Sequence, residues 1–169
     1  MSVRPASDGF EERRWLEHVL TREIPLGGAM RLAVECLDDA GIVLAAPLAP
    51  NINDKGTAFG GALASLMILA GWSLPRLLLR RAGLEADLVI GRCRMQFLAP
   101  VTGSLRAACA WPVPEASGRF LESLHRRGRG RLELAPEIRA GDGVAARLEA
   151  RYAALAKSAQ RTKGNGESA

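Results

Sequence analysis

Aromatic side chains are scarce in this chain of 169 residues: phenylalanine, tryptophan and tyrosine together make up 5% of it. A nucleic-acid surface that stacks bases on rings has little to be built from, so that class of partner falls behind at the outset. Cysteine is scarcer still, with Cys36, Cys93 and Cys109 widely spaced and odd in number. Neither a disulfide framework nor a CxxC pair is present, and a reducing, cytoplasmic setting is the expectation. The two histidines, His18 and His125, stand far apart, and no HxxxH or Cys/His spacing points to a metal. The N-terminus, MSVRPASDGFEERRW, lacks the apolar core of a secretory signal, and its Glu11 and Glu12 sit badly with a transit peptide. No segment repeats at a fixed period, which excludes solenoids and propellers.

What is present is apolar and mildly basic. Hydrophobic residues are 48% of the chain, enough for a sizeable core, and 23 Lys plus Arg against 18 Asp plus Glu leave a net charge of +5. That charge favours an anionic partner without identifying one. The distinctive stretch is Asn51 to Trp72, NINDKGTAFGGALASLMILAGW, and from Gly56 to Pro75 no residue is charged. An uncharged run of this length is long enough to test as a membrane span. Its glycines, Thr57, Ser65 and Ser73 lower its hydrophobicity, and its neighbours alternate like strands, so a buried core helix is expected. A polar loop, Asn51 to Lys55, precedes it, and Gly60 and Gly61 fall in its first turn. The first turn of a helix leaves backbone N–H groups without intrahelical partners, and glycine there lets a ligand carbonyl approach them.

The remaining elements follow from periodicity. Residues 1–9 are expected to be disordered, 10–156 to form one domain and 157–169 to be a disordered tail. Asp8 and Glu11 resemble a capping box for an amphipathic helix from Phe10 to Arg22, which ends at Ile24-Pro25. Alternation predicts strands over Met30–Cys36, Ile42–Pro47, Val89–Phe97, Leu105–Trp111, Leu132–Ile138 and Val144–Tyr152. Pro136 marks the fifth as an edge or a bulge, and the alanines of the sixth leave a helix open there. On the third, Val89, Gly91, Cys93, Met95 and Phe97 are expected to share the apolar face. A short helix spans Glu115 to Arg127, and Gly128 stops it. The class is α+β: an antiparallel sheet of about five or six strands wrapped round one long central helix, each covering the other's apolar surface.

This order of elements, with NINDKGTAFGG running into ALASLMILAGW and later CRMQFLAPVTG, resembles the hot-dog superfamily. Within it the chain looks like the putative thioesterase domain family, a type also found fused behind an acetyltransferase domain in some bacterial proteins. The resemblance covers about Leu20 to Tyr152. It implies an acyl thioesterase cleaving a coenzyme A or acyl-carrier-protein thioester, a homodimer or dimer of dimers with sites at the interface, and no cofactor beyond coenzyme A as part of the substrate. In many hot-dog thioesterases acting on coenzyme A esters, His-Gly-Gly begins the helix, an Asn lies six residues earlier and an acid follows on the helix. Here Asn53 matches the Asn, Phe59 takes the His place before Gly60-Gly61, and Ile68 stands where one related pattern has its Asp.

The expected site follows. Gly60 and Gly61 hold the carbonyl oxygen, Asn53 orients water, Asp54 is a candidate base, and Ser65 lies one turn along the helix. Asn51, Phe59 and Gln96 are candidates to line the substrate. In the basic run His125 to Arg131, Arg126, Arg127 and Arg129 are candidates for coenzyme A phosphates. Each residue has a plainer role open to it: Asn53 and Asp54 as loop formers, the glycines as close-packing positions, Ser65 as a small core residue, the arginines as solvated surface. The missing His and helix acid also motivate a second function, a module that binds or senses acyl thioesters without cleaving them. A hydratase is a weaker third, since proton transfer at carbon usually recruits a His with an acid.

Overall fold

The computed structural model describes residues 9–157, so Asp8 of the expected capping box lies outside it. Helix α1 (Gly9–His18) and a wide π-type turn at Val19–Glu23 bury Leu16, Val19 and Leu20. Ile24, extended ahead of Pro25, breaks the run as expected. A short helix α2 (Pro25–Ala29) then occupies the approach to the first strand, which begins at Ala33 rather than Met30. Its Gly27 packs so closely on the preceding turn that a Cβ would lie 2.0 Å from the Leu20 carbonyl oxygen. The sequence signal for this helix is poor, because glycines required by packing read as loop.

Strands β1 (Ala33–Leu37), β2 (Gly41–Ala46), β3 (Ala86–Phe97), β4 (Leu105–Ala110), β5 (Arg129–Leu134), β6 (Glu137–Ala140) and β7 (Gly143–Ala156) form one antiparallel sheet. Its order is β1-β2-β4-β6-β7-β3, with β5 also on β7, in line with β6. The strand expected over Leu132–Ile138 is thus two strands. Pro136 cannot donate to the ladder, and the chain breaks there, the Pro136 carbonyl accepting instead from Leu148 N–H at 2.9 Å. β7 is a strand despite its alanines, because Ala146, Leu148, Ala150, Tyr152 and Ala154 all reach the core.

The sheet wraps helix α3 (Gly60–Arg81), 22 residues long. It is long and apolar enough to cross a membrane, but 61% of its most apolar window is buried within the protein, as a core helix requires. Leu63, Leu66, Met67, Ala70, Leu74 and Leu77 face the sheet or α1, and only Gly61, Ala64, Ser65, Ile68, Trp72 and Arg76 form a half-covered stripe between residues 61 and 76. At mid-helix Gly71 packs on Tyr152, whose hydroxyl donates to the Ile68 carbonyl at 2.9 Å. The helix ends at Ala82, with Gly83 at φ +65, the left-handed residue glycine permits. Helix α4 (Pro114–Arg127), through Phe120 and Leu124, covers the flank of β5.

Strand β3 corrects one expectation. A bulge between Ile90 and Arg92 shifts its alternation by one, so Leu88 and Ile90 turn inward ahead of it while Val89 is exposed. Beyond the bulge Cys93, Met95 and Phe97 lie opposite the buried Ala150, Leu148 and Ala146 and share their face, yet Cys93 and Phe97 are themselves exposed. The inner face is therefore uncovered along this edge, and β3, 12 residues long, pairs on one side only.

Candidate functional site

The loop before α3 is built by two asparagines. Asn51 is buried and its amide nitrogen donates to the Met30 and Pro47 carbonyls at 2.9 and 2.8 Å, while its own carbonyl accepts Phe59 N–H at 2.7 Å. It fixes where the helix starts rather than facing a ligand. Asn53 closes the 53–57 turn: its Oδ1 accepts from Lys55 and Thr57 N–H at 2.8 and 3.1 Å, and its Nδ2 donates to Thr57 Oγ1 at 2.9 Å. Its side chain is occupied on both ends. Asp54 is exposed and pairs with Lys55 at 3.1 Å.

The loop delivers the chain, extended at Phe59, into the first turn of α3. Ala62 and Leu63 N–H both donate to the Phe59 carbonyl, at 2.9 and 3.0 Å. Gly60 and Gly61 N–H lie ahead of these bonds and are the two donors left at the positive end of the helix dipole. Each glycine has a phenyl ring beside it. A Cβ on Gly61 would sit 2.3 Å from Phe59 Cε1, and one on Gly60 would sit 3.7 Å from the Phe97 ring. Both rings are more than half exposed, at 56% and 55%. Two amide donors thus open between two apolar walls at the uncovered end of β3. Such a site suits a polarised carbonyl bearing an apolar chain.

Ser65 lies on the half-covered stripe and donates back to the Gly61 carbonyl at 2.8 Å. Gln96 is placed elsewhere: alternation turns it to the outer face of β3, opposite Arg147 and away from Phe97. Arg126, Arg127 and Arg129 are also distant from the glycines within this chain. They gather at α4 and β5, where Arg126 pairs with Glu122 at 3.0 Å and Arg127 donates to Ser123 at 2.9 Å. Neither Cys109 nor Cys36 offers a ready nucleophile. Burial pushes the Cys109 thiol up to about 12, and a hydrogen bond to Asp38 raises that of Cys36.

Sequence reasoning missed Phe97 as a wall of the site and Arg119 as a member of the basic cluster. Phe97 was on the correct face by alternation, but its nearness to Gly60 is a contact across the fold. Arg119 stands seven residues before Arg126, a helical spacing that was available as a signal.

The family model described as putative thioesterase (yiiD_Cterm) matches residues 13–156. The chain belongs to this family. Among solved structures, a Chlorobaculum tepidum protein of unknown function is 28% identical with a TM-score of 0.84, over 88% of this chain and 97% of its own. A putative thioesterase from Shewanella oneidensis is 26% identical with a TM-score of 0.77, over 86% and 99%. A thioesterase from Haemophilus influenzae, 13% identical over 85% and 90% with a TM-score of 0.63, shares the fold. The sheet around a central helix is accordingly the hot-dog fold expected of the family.

In this family member Asn53 acts first on the loop. Asn53→Ala removes the acceptor for two backbone N–H groups and is expected to cost about 1–2 kcal/mol in urea unfolding. Asn53→Asp keeps that acceptor and is expected to recover most of the loss. Equal stability of Asn53→Ala and wild type would remove this role.

Proposed function

We propose that the protein is an acyl thioesterase that works as two copies joined along β3. The observation that carries this is the Gly60-Gly61 donor pair, set between Phe59 and Phe97 at an uncovered sheet edge. The thioester carbonyl accepts from the two N–H groups. Water adds to the carbonyl carbon, the oxyanion that forms sits at the helix N-terminus, and the C–S bond breaks as the thiolate leaves with a proton. Asp54 is the carboxylate nearest in sequence to the glycines. Its exposed pair with Lys55 is worth under about 1 kcal/mol, so it is free to serve water instead. Asn53 holds the loop that carries Asp54.

What one copy leaves open supports the dimer. β3 presents a long unpaired edge with Val89 and Phe97 exposed, and Leu98 just past its end exposed too, beside the half-covered stripe of α3. Such an edge invites pairing with another strand. A second reading is favoured by one observation: no acid lies between Gly56 and Pro75, and Phe59 stands at the His place. On that reading the site binds an acyl thioester without cleaving it.

Thiol release from a series of acyl-coenzyme A and acyl-carrier-protein esters separates the two. Turnover of at least one ester, with chain-length preference, is expected. Saturable binding with no release would replace the enzyme by the binding module.

A further inference from the structure

Helix α3 and strand β3 touch at two places and part between them. At one end Gly60 lies against the Phe97 ring, which an added Cβ would meet at 3.7 Å. At the other the Trp72 indole N–H reaches across to β3 and donates to the Leu88 carbonyl at 3.1 Å. Between these contacts Cys93 is exposed and Met95 half-buried, although both share the face on which their β7 partners, Ala150 and Leu148, are buried. On the helix side the half-covered stripe presents Ala64, Ser65 and Ile68. The space between is a mainly apolar groove, and every residue of it belongs to one chain.

The groove has a start and a stop. It starts at the Gly60 and Gly61 N–H groups, whose other side is the polar Asn51–Lys55 loop with Asp54 and Lys55 in solvent. An apolar chain on a carbonyl held there is shielded from water only along the groove. It stops at Trp72, whose ring spans from helix to sheet. The indole is also backed from behind: the Arg76 guanidinium lies 5.9 Å from its ring and 5.5 Å from the ring of Trp15 on α1, and Arg80 stacks on Trp15 at 4.3 Å. A ring tied by a hydrogen bond on one side and stacked on the other resists displacement by a longer chain.

Helix geometry gives the length. Gly61 and Trp72 stand eleven residues apart on α3, about 16 Å along its axis. Trp72 leans back toward the helix N-terminus and its ring takes up roughly 4–5 Å, which leaves about 12 Å. An extended hydrocarbon advances about 1.3 Å per bond, so about eight to ten carbons fit.

We propose that this groove takes the acyl chain of a medium-chain thioester, about eight to ten carbons long, and that Trp72 sets the limit. This rests on the thioesterase reading for the carbonyl and names the class of acyl group that reading leaves open.

The chain-length profile tests it. Wild-type kcat/KM on saturated acyl-coenzyme A esters of about four to sixteen carbons is expected to peak at about eight to ten and to fall at least about tenfold by about fourteen. Trp72→Ala is expected to move the peak by about four carbons toward longer chains, the room the ring vacates. Ala64→Leu fills the groove about one turn from Gly61 and is expected to move the peak to about six carbons or fewer. Leucine suits a half-covered helix position, so this second variant carries the test should Trp72→Ala not fold. A wild-type peak outside about six to twelve carbons overturns the proposal. So does a profile that keeps its shape in the folded variants, including a loss that is uniform over all lengths.

Should the wild type release no thiol from any ester, the thioesterase reading fails on its own. The groove is then read by calorimetry with S-alkyl coenzyme A thioethers of the same lengths. Affinity that rises to about eight to ten carbons, stops rising there, and rises further in Trp72→Ala supports the assignment. Affinity that climbs evenly to the longest chain, or does not depend on length, overturns it.

Discussion

Gly60→Pro is expected to lower thioesterase turnover by about 100- to 1000-fold while leaving the fold intact, the loss associated with removing one oxyanion donor. Gly60 is the first residue of α3, and Phe59 before it is already extended, at φ −65 and ψ 132. Proline is well accommodated at that position, because the N–H it lacks has no intrahelical partner and its φ suits the helix. The residue before a proline prefers just the conformation Phe59 has. The substitution therefore deletes a donor with little other change. Gly60→Ala is the companion variant: its Cβ meets the Phe97 ring at an ordinary 3.7 Å and the N–H remains. It is expected to lose no more than about tenfold, the share due to crowding. Steady-state kinetics of both variants, with Tm measured alongside, check this. Equal activity of Gly60→Pro and wild type would take Gly60 out of the reaction.

The largest effect on stability is expected at Gly71. An added Cβ would lie 2.3 Å from the Tyr152 hydroxyl, 2.8 Å from Cζ and 2.9 Å from Cε2. The ring has nowhere to go, being fully buried and tied by its hydroxyl to the Ile68 carbonyl. Alanine gains about 1 kcal/mol over glycine in helix propensity. Against this stand overpacking of about 1–3 kcal/mol and the loss of a buried hydrogen bond, of similar size. Gly71→Ala is therefore expected to destabilise by about 2–4 kcal/mol in denaturant unfolding. Tyr152→Phe alone is expected to cost about 1 kcal/mol and to recover part of the Gly71→Ala loss when the two are combined, since the shortest contact is to the hydroxyl. Strict additivity in that cycle would show that the two residues do not meet.

Much of the fold is legible in the sequence for reasons that are local. The uncharged run from Gly56 to Pro75 has no polar face to show to water, so it has to be a core helix; it runs on to Arg81 because the next turns are apolar as well. Alternation locates the strands, since a sheet with one covered face imposes it residue by residue. Alternation fails at Gly91, where a bulge moves the phase and reverses the inward set ahead of it. It fails too at Met30, where two glycines packed on the Leu20–Thr21 backbone form a helix that composition does not suggest.

The candidate site divides along the same line. The glycine pair and the turn after Asn53 are visible because their chemistry depends on neighbours in the chain: a helix start, a turn and an Asn53 side chain that bonds within four residues. Asn53 shows the limit of such reading. Its residue type suits water orientation and turn formation equally, and only its hydrogen bonds show the amide spent on the turn. The sequence by itself determined the helix that must be buried, the faces of most strands and the two N–H donors at the helix start, because periodicity and helix geometry are properties of adjacent residues. Tertiary structure alone decided that Phe97 stands over Gly60, that Gln96 faces away, that β3 is an open edge and that the arginines lie roughly 30 Å from the glycines in the same copy. Those are relations between segments far apart in the chain, set by strand order and register, which no local pattern encodes.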